Sequence, residues 1–309
     1  MELRSAGKAC QLLLLWVSCV ALWGEAARGD STSFASQPAA ATVEKHKGWM
    51  ARLPDGHLLS QLSLPGTHDT CALHDGFSFG FAKCQSWALG DQLNAGIRFL
   101  DIRCRHLGDR FAIYHGIIDQ RMGFDEVRDV CRDFLKQHPT ECIVMSVKEE
   151  SSAKGNTRSF AETFAAITQD DGKLWHISTK MPKLQEVRGR VVLLDRVGTL
   201  GGLKWSATQL QDQYSTPVEN KSKLIRAHFK KASDGQKDQW FINYCSGTLP
   251  GRLLTPRQYA AKTNAVALDY VKQLKRKERV RLGTVVMDFP GEELIEQVIA
   301  TNFAPNQPN

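Results

Sequence analysis

Short apolar runs recur along this chain, each closed by a charged or turn-forming residue. Leu62-Ser-Leu64 meets Pro65-Gly66, and neither continues a strand interior comfortably, which predicts the end of a buried strand there. Ile97 to Arg103 alternates, so Phe99, Asp101 and Arg103 share one face and Leu100, Ile102 and Cys104 the other. Phe111 to Tyr114 follows after only the segment Arg105 to Arg110. That gap is too short for a parallel crossover, which takes about a dozen residues. It predicts a hairpin turning at Gly108-Asp109, which returns Tyr114-His115-Gly116 toward Asp101 and Arg103.

Helical spacing and apolar runs then alternate. Trp87 to Ala95, Phe124 to Gln137, Phe160 to Ile167, Lys221 to Ala232, Pro256 to Leu274 and a short C-terminal segment read as helices. The second carries Val127, Val130, Cys131 and Phe134 on one side and is stopped by Pro139. Between them lie strand-like runs: Cys142 to Lys148, with Ser146 and Lys148 on one face; Arg190 to Arg196; Thr208 to Tyr214, with Leu210, Asp212 and Tyr214 on one face; Trp240 to Cys245; and Gly283 to Phe289. Such alternation predicts a parallel sheet covered by helices. An open doubly wound sheet would carry a glycine fingerprint after its first strand, and none is present. The expected fold is α/β, a single-domain, distorted or incomplete TIM-type (β/α) barrel of seven principal strands plus the hairpin.

In a barrel the C-terminal strand ends converge on one mouth. His68 and Asp69 just past the first strand would meet Asp101, Arg103, His115, Lys148, Arg196, Asp212 and Asp288 there. Two histidines suit a reaction in which one group takes a proton and another gives one to a leaving group. A carboxylate beside each ring would orient it and favour the imidazolium as it forms. The guanidinium of Arg103 offers a rigid fork for phosphate oxygens, and Lys148 and Arg196 add positive charge. A charged strand end is by itself more often a salt bridge than a catalyst; the convergence is what points to a phosphodiester or another anionic substrate. Asp69 and Asp101 have the chemistry to hold a hard cation. Arg103 on the same face and Lys148 at the same mouth would compete with it, so neither metal nor cofactor is expected.

Composition changes this picture at the termini. The body is ordinary globular material, with 42% hydrophobic and 24% charged residues and no repeat or linker dividing its 309 residues, which favours one domain. Arg4 and Lys8 precede the apolar run Leu12 to Trp23, and small residues follow at Gly24, Ala26 and Ala27. That is the pattern of a secretory signal peptide over 1–26, shorter than the roughly 20 apolar residues of a comfortable membrane span. A Ser-, Ala- and Thr-rich leader, 27–48, reads as disordered, and the barrel as 49–309. The expected protein is secreted. Cys71, Cys84, Cys104, Cys131, Cys142 and Cys245 remain after the signal peptide, which permits disulfides, while no Cys-x-x-Cys spacing suggests structural zinc. The net charge of +7 is compatible with nucleic acid or an anionic membrane surface. Its one cluster, Lys275 to Arg281, reads more simply as a solvated helix end.

Leu64-Pro-Gly-Thr-His-Asp-Thr70, Gly96 to Arg103, Tyr114-His-Gly116, Met145-Ser-Val-Lys-Glu149 and Val286-Met-Asp-Phe289 together resemble the X-domain of the bacterial-type phosphatidylinositol-specific phospholipases C. The resemblance runs from Trp49 to the C-terminus, with the motifs in the family's order. It implies an incomplete barrel that cleaves phosphatidylinositol, or its glycosylated form, to diacylglycerol and inositol 1,2-cyclic phosphate without a metal. His68 would be the general base oriented by Asp288, and His115 the general acid coupled to Asp69. Arg103 would stabilise the charged transition state, with Asp101 as a buried acid beside it. Lys148, Arg196, Asp212 and Tyr214 look like the residues that hold the inositol. Phe77, Phe79 and Phe81 fall where the family places a membrane-contacting rim. The partner so implied is a phosphatidylinositol-containing membrane surface rather than nucleic acid, met by a monomer. A metal-dependent glycerophosphodiesterase or phospholipase D on the same barrel would need an acidic cluster where this chain has Asp101-Ile-Arg103. A catalytically silent lipid-binding X-domain would not need both histidines and Asp288.

Overall fold

The structure, a computed structural model, describes residues 46–249, 251 and 254–305. The expected signal peptide and most of the expected leader lie outside these residues. Parallel strands β1 (Leu64–Thr67), β2 (Phe99–Leu107), β5 (Ile143–Lys154), β6 (Trp175–His176), β7 (Val191–Asp195), β9 (Gln209–Gln211), β10 (Phe241–Tyr244) and β11 (Thr284–Met287) run in the order β6-β7-β5-β2-β1-β11-β10-β9. β6 and β9 stand at the two ends of that path, so the barrel is incomplete. The two-residue β8 (Leu203–Lys204) pairs with β7.

β3 (Arg110–His115) returns antiparallel on β2, as the short gap predicts. Gly108 and Asp109 at its turn have φ of 56° and 59°. Left-handed dihedrals at both central positions match the right-handed twist of the flanking strands. β4 (Ile118–Gly123) adds a further antiparallel strand that the sequence reading left unassigned.

Helices cover the sheet: α1 (Leu89–Asn94), α2 (Phe124–Gln137), α3 (Phe160–Gln169), α4 (Leu184–Val187), α5 (Val218–Asp234), α6 (Pro256–Gln273) and α7 (Glu292–Ala300). Their starts are chemically marked. The Ser159 hydroxyl accepts from the Glu162 N–H while Glu162 accepts from the Ser159 N–H, which satisfies two exposed donors at the head of α3. Thr255 caps α6 in the same way, with Pro256 at the position where a missing N–H costs nothing. On α2, Val127, Cys131 and Phe134 are buried against the sheet.

Two expectations need correction. Pro65 and Gly66 do not end β1 but lie within it, paired with Val285 and Val286 of β11. The absent N–H of Pro65 falls on the β2 side, where pairing begins only at Gly66 with Phe99. Gly66 is needed because a Cβ there would sit 2.7 Å from Cβ of Phe99. Asp212 and Tyr214 do not share a strand face; β9 stops at Gln211, and both residues belong to the loop beyond it.

At the opposite end of the barrel, Arg98 and Glu141 form a fully buried ion pair, with Nη2 2.8 Å from Oε2. The remaining guanidinium donors reach the carbonyls of Leu93, Ile97 and Lys47, and Glu141 accepts from the Met50 N–H. This pins the entering segment, from residue 46, beneath the sheet. Removing one partner of such a pair strands a charge in the interior. Arg98→Met is therefore expected to cost about 3–5 kcal/mol in urea unfolding; a loss below about 1 kcal/mol, the scale of surface pairs, would show that water reaches the site.

The arginines of the basic cluster turn inward, while Lys275 and Lys277 are exposed. Arg276 donates to the Ala300 carbonyl, Arg279 to Gln61 and Arg281 to Ala232 and Gly235 at the end of α5. Cations at helix C-termini offset the macrodipole, so the arginines serve helix ends, but half-buried rather than solvated as the sequence suggests. The six described cysteines are buried free thiols.

Candidate active site

β1 and β11 end side by side, and their last residues present His68 and Asp288. Each strand is followed at once by a kink: Asp69 has φ 43° and Phe289 has φ 45°, left-handed values that side-chain-bearing residues rarely adopt. Gln85 holds both tips, donating to the carbonyls of His68 (2.7 Å) and Met287 (3.0 Å), and Asn264 holds the Asp288 carbonyl at 2.8 Å.

His68 is buried with both ring nitrogens engaged: Nδ1 lies 2.8 Å from Asp288 Oδ1 and Nε2 2.6 Å from Arg103 Nη2. A guanidinium can only donate, so Nε2 accepts and the ring proton resides on Nδ1, donated to Asp288. The ring is thus a free base whose lone pair faces the mouth. Burial and then the charge of Arg103 push its pKa well below the ordinary histidine value. Burial pushes Asp288 up, which makes its carboxylate a ready partner for a proton arriving on His68.

Arg103 is the hub. It donates to Asp101 Oδ2 from Nη2 (3.1 Å) and lies 3.7 Å from Asp69 and 3.5 Å from Glu150. Arg196 takes the other oxygen of Asp101 at 2.9 Å. Burial would raise Asp101, but these two guanidiniums outweigh it and hold the carboxyl well below the usual carboxylate range. Both its oxygens are committed to guanidiniums, which leaves Asp101 a charge holder rather than a proton carrier.

The hairpin delivers His115. Its Nδ1 is 3.0 Å from the Ala82 carbonyl and 3.5 Å from Asp69 Oδ2, leaving Nε2 as the nitrogen able to meet a leaving group. Burial pushes Asp69 up to about 6, against the opposing pull of Arg103 and His115. Asp69 is therefore an anion above pH 6, where it can hold an imidazolium on His115, and neutral below it. A limb in kcat/KM falling about tenfold per pH unit is expected below pH about 6, belonging to the Asp69–His115 pair, and Asp69→Asn should abolish that limb. The same raised carboxyl binds its proton more tightly folded than unfolded, so it lowers stability as pH rises from 3.8 through about 6.

The remaining sequence-chosen residues line the same mouth. The Tyr214 ring lies 5.8 Å from that of His68, tilted by 42°. Lys148, register partner of Arg103, is bonded to Glu150 at 2.5 Å. Asp212 stands exposed at the edge. Of the three phenylalanines, Phe77 and Phe79 are 76% and 90% exposed, and Phe81 is half-buried. Ile117, 77% exposed at the tip between β3 and β4, is an apolar residue the sequence reading missed.

Others were missed as well. Glu150 joins Lys148, Arg103 and the Gly116 N–H (3.0 Å). Trp205 stacks on the Arg196 guanidinium with its centroid at 4.1 Å, and the Tyr244 ring meets His68 edge-on at 5.9 Å. The alternation of charge in Lys148-Glu-Glu150 was the only available signal for Glu150, and nothing marked the two aromatic residues.

Two histidine–aspartate pairs around one guanidinium, set in the mouth of a parallel barrel, define an acid–base catalyst for a phosphate ester. Comparison with known proteins takes this to a family. The family model "Phosphatidylinositol-specific phospholipase C, X domain" matches residues 62–197. The chain is 33% identical over 275 residues to a 1-phosphatidylinositol phosphodiesterase of Listeria monocytogenes, covering 83% of this chain and 85% of the relative. A Staphylococcus aureus 1-phosphatidylinositol phosphodiesterase is 25% identical over 296 residues, covering 83% of this chain and 94% of its own. The solved Listeria phosphatidylinositol-specific phospholipase C superposes with a TM-score of 0.72 at 32% identity, over 82% of this chain and 98% of that one. A Staphylococcus structure at 24% identity gives 0.75 and supports the fold. The chain belongs to the phosphatidylinositol-specific phospholipase C family.

Proposed function

We propose that the enzyme cleaves phosphatidylinositol at the bond between phosphorus and the glycerol oxygen, releasing diacylglycerol and inositol 1,2-cyclic phosphate. The observation that carries this is the unprotonated Nε2 of His68, whose lone pair accepts at 2.6 Å from a guanidinium that can move onto phosphate oxygens. A substrate entering the mouth would draw Arg103 onto its phosphate and leave Nε2 facing the inositol 2-hydroxyl. His68 takes that proton, the oxygen attacks phosphorus, and the phosphorus–oxygen bond to glycerol breaks as His115 protonates the departing oxygen. Arg103 offsets the charge that builds on the phosphoryl oxygens. Lys148, Arg196, Asp212 and Tyr214 line the side on which the inositol ring would rest.

No divalent cofactor enters this scheme, because Arg103 occupies the place where a cation would serve. Phosphorus NMR of phosphatidylinositol vesicles treated with enzyme and EDTA tests reaction and metal independence together. A cyclic phosphate signal is expected; phosphatidic acid, or no product, would overturn the reading.

The working surface is proposed to be a phosphatidylinositol-containing membrane, approached by a monomer exported through the 1–26 signal sequence. Phe77, Phe79 and Ile117 are exposed apolar side chains next to the mouth, and such side chains gain free energy by leaving water for the lipid interface. Phe77→Ser/Phe79→Ser is expected to weaken vesicle sedimentation at least tenfold while sparing cleavage of a short-chain soluble substrate. Equal loss on both substrates would assign these rings to the site instead.

A further inference from the structure

Cys84 lies in the mouth and takes no part in the proton transfers. Its N–H donates to the Ala72 carbonyl at 2.9 Å and its carbonyl accepts from the Phe289 N–H at 3.0 Å, so its backbone is tied to the turns that follow β1 and β11. The thiol is held between the two histidine–aspartate pairs. Its Sγ is 3.7 Å from His115 Nδ1, and one ligand atom from each of Asp69, Cys84 and His115 falls within 4.8 Å of the others. Asp69 is fully buried, and neither of its carboxylate oxygens has a hydrogen-bond donor. A buried carboxylate without donors, a thiol and an imidazole nitrogen therefore face one point.

We propose that Asp69, Cys84 and His115 form an inhibitory site for a thiophilic divalent cation such as Zn²⁺, seated on the acid side of the catalytic centre. Thiolate, imidazole and carboxylate are the ordinary donors of zinc, and three protein ligands leave a fourth position for water or a phosphoryl oxygen. Ligands at roughly 2.0–2.3 Å from the metal stand about 3.3–3.8 Å apart in a tetrahedron. The separations of His115 Nδ1 from Asp69 Oδ2 (3.5 Å) and from Cys84 Sγ (3.7 Å) already meet that spacing. Only the third side of the triangle has to close, within 4.8 Å at the outset.

The charges that oppose a hard cation at Asp69 and Asp101 do not exclude this one. Binding releases two protons to water, one from the Cys84 thiol and one from Nδ1 of His115 in its imidazolium form, so a dication meets a thiolate, a carboxylate and a neutral imidazole and the filled site is neutral, as the resting one is. Arg103 and Lys148 then face no new net charge. Inhibition follows from the atom that is taken. A metal on Nδ1 displaces the Ala82 carbonyl and keeps the His115 ring from becoming an imidazolium; the N–H left at Nε2 is a far weaker acid, and the leaving oxygen goes unprotonated.

This inference deepens the proposed function of the same site, and its binding arm is independent of turnover. Full-length enzyme freed of metal is titrated with Zn²⁺ during vesicle hydrolysis, and with Co²⁺ while the near-ultraviolet spectrum is followed. Zn²⁺ is expected to lower activity more than tenfold, reversibly with EDTA. Co²⁺ is expected to give a thiolate-to-cobalt charge-transfer band at one equivalent. Cys84→Ser should keep its basal activity, lose the band and need at least tenfold more Zn²⁺ for the same inhibition. No band on the wild-type enzyme overturns the proposal whatever the variant does. Equal zinc sensitivity in Cys84→Ser, or a band that survives in Cys84→Ser or Cys84→Ala, overturns it too. Absence of turnover on phosphatidylinositol with the band present would fault the proposed function and leave the metal site standing.

Discussion

His68→Ala is expected to lower kcat/KM on phosphatidylinositol by about 10²–10⁴-fold, the range of a lost general base. The hydrogen bonds predict how this loss should differ from its counterpart at His115. His68 starts as a free base with its ring proton on Nδ1, directed at Asp288, which suits the role proposed for it on the attacking hydroxyl. His115 is proposed to act on the leaving oxygen. A substrate whose leaving group needs no proton, such as a nitrophenyl ester, should therefore shrink the His115→Ala defect and leave the His68→Ala defect nearly whole. Equal relief of both would mean that the roles are exchanged or shared. Circular dichroism melts accompany the kinetics, because His68→Ala also leaves the Asp288 carboxylate buried without its donor.

The second large effect is expected at Arg103. Arg103→Lys should cost about 10²–10³-fold in kcat, comparable to loss of an oxyanion donor. A lysine keeps the charge but not the planar fork, and here the fork spans Asp101, Asp69, Glu150 and the His68 lone pair from one group. The point charge can satisfy only part of that set. The loss should fall on kcat more than on KM, since the contact that matters strengthens as charge develops on the phosphoryl oxygens. A variant with unchanged kcat and raised KM would reassign Arg103 to ground-state binding.

Much of this architecture was legible because periodicity and gap length are local. The short segment Arg105 to Arg110 could only be a turn, and that inference alone carries His115 back to the mouth. The helix Phe124–Gln137 is delimited by acidic residues at its start and Pro139 beyond its end. What escaped is what depends on neighbours. Pro65 and Gly66 read as breakers, yet a strand accepts them here because pairing with β2 begins only at Gly66, and there Phe99 of β2 presses too close for a Cβ. β5 runs past Lys148 because β2 stays beside it through register shifts, and this extension is what places Glu150 at the site. The resemblance groups Phe81 with Phe77 and Phe79, and nothing in the sequence marks the left-handed turn at Phe79, φ 56°, between Phe77 and Phe81.

The pairing of Cys84 with the site was hidden for a similar reason. Its spacing from other cysteines suggested a framework or nothing, and only the folded chain shows it between His115 and Asp288.

One peptide unit joins His68 to Asp69, and it works as a ruler. The proposed base is one residue, and the partner of the proposed acid is the next, with α-carbons about 3.8 Å apart across any trans peptide. Past the kink at Asp69, the two neighbouring side chains meet different partners, His68 on Asp288 and Asp69 on His115. No loop insertion can lengthen that interval, because the chain on one side is paired to β11 and on the other is tied back to Asp101 by the Thr70 N–H. The rim and the inositol side of the mouth can be remodelled to admit other headgroups. The bond that breaks would still be a phosphorus–oxygen bond with a hydroxyl in reach of the same phosphorus.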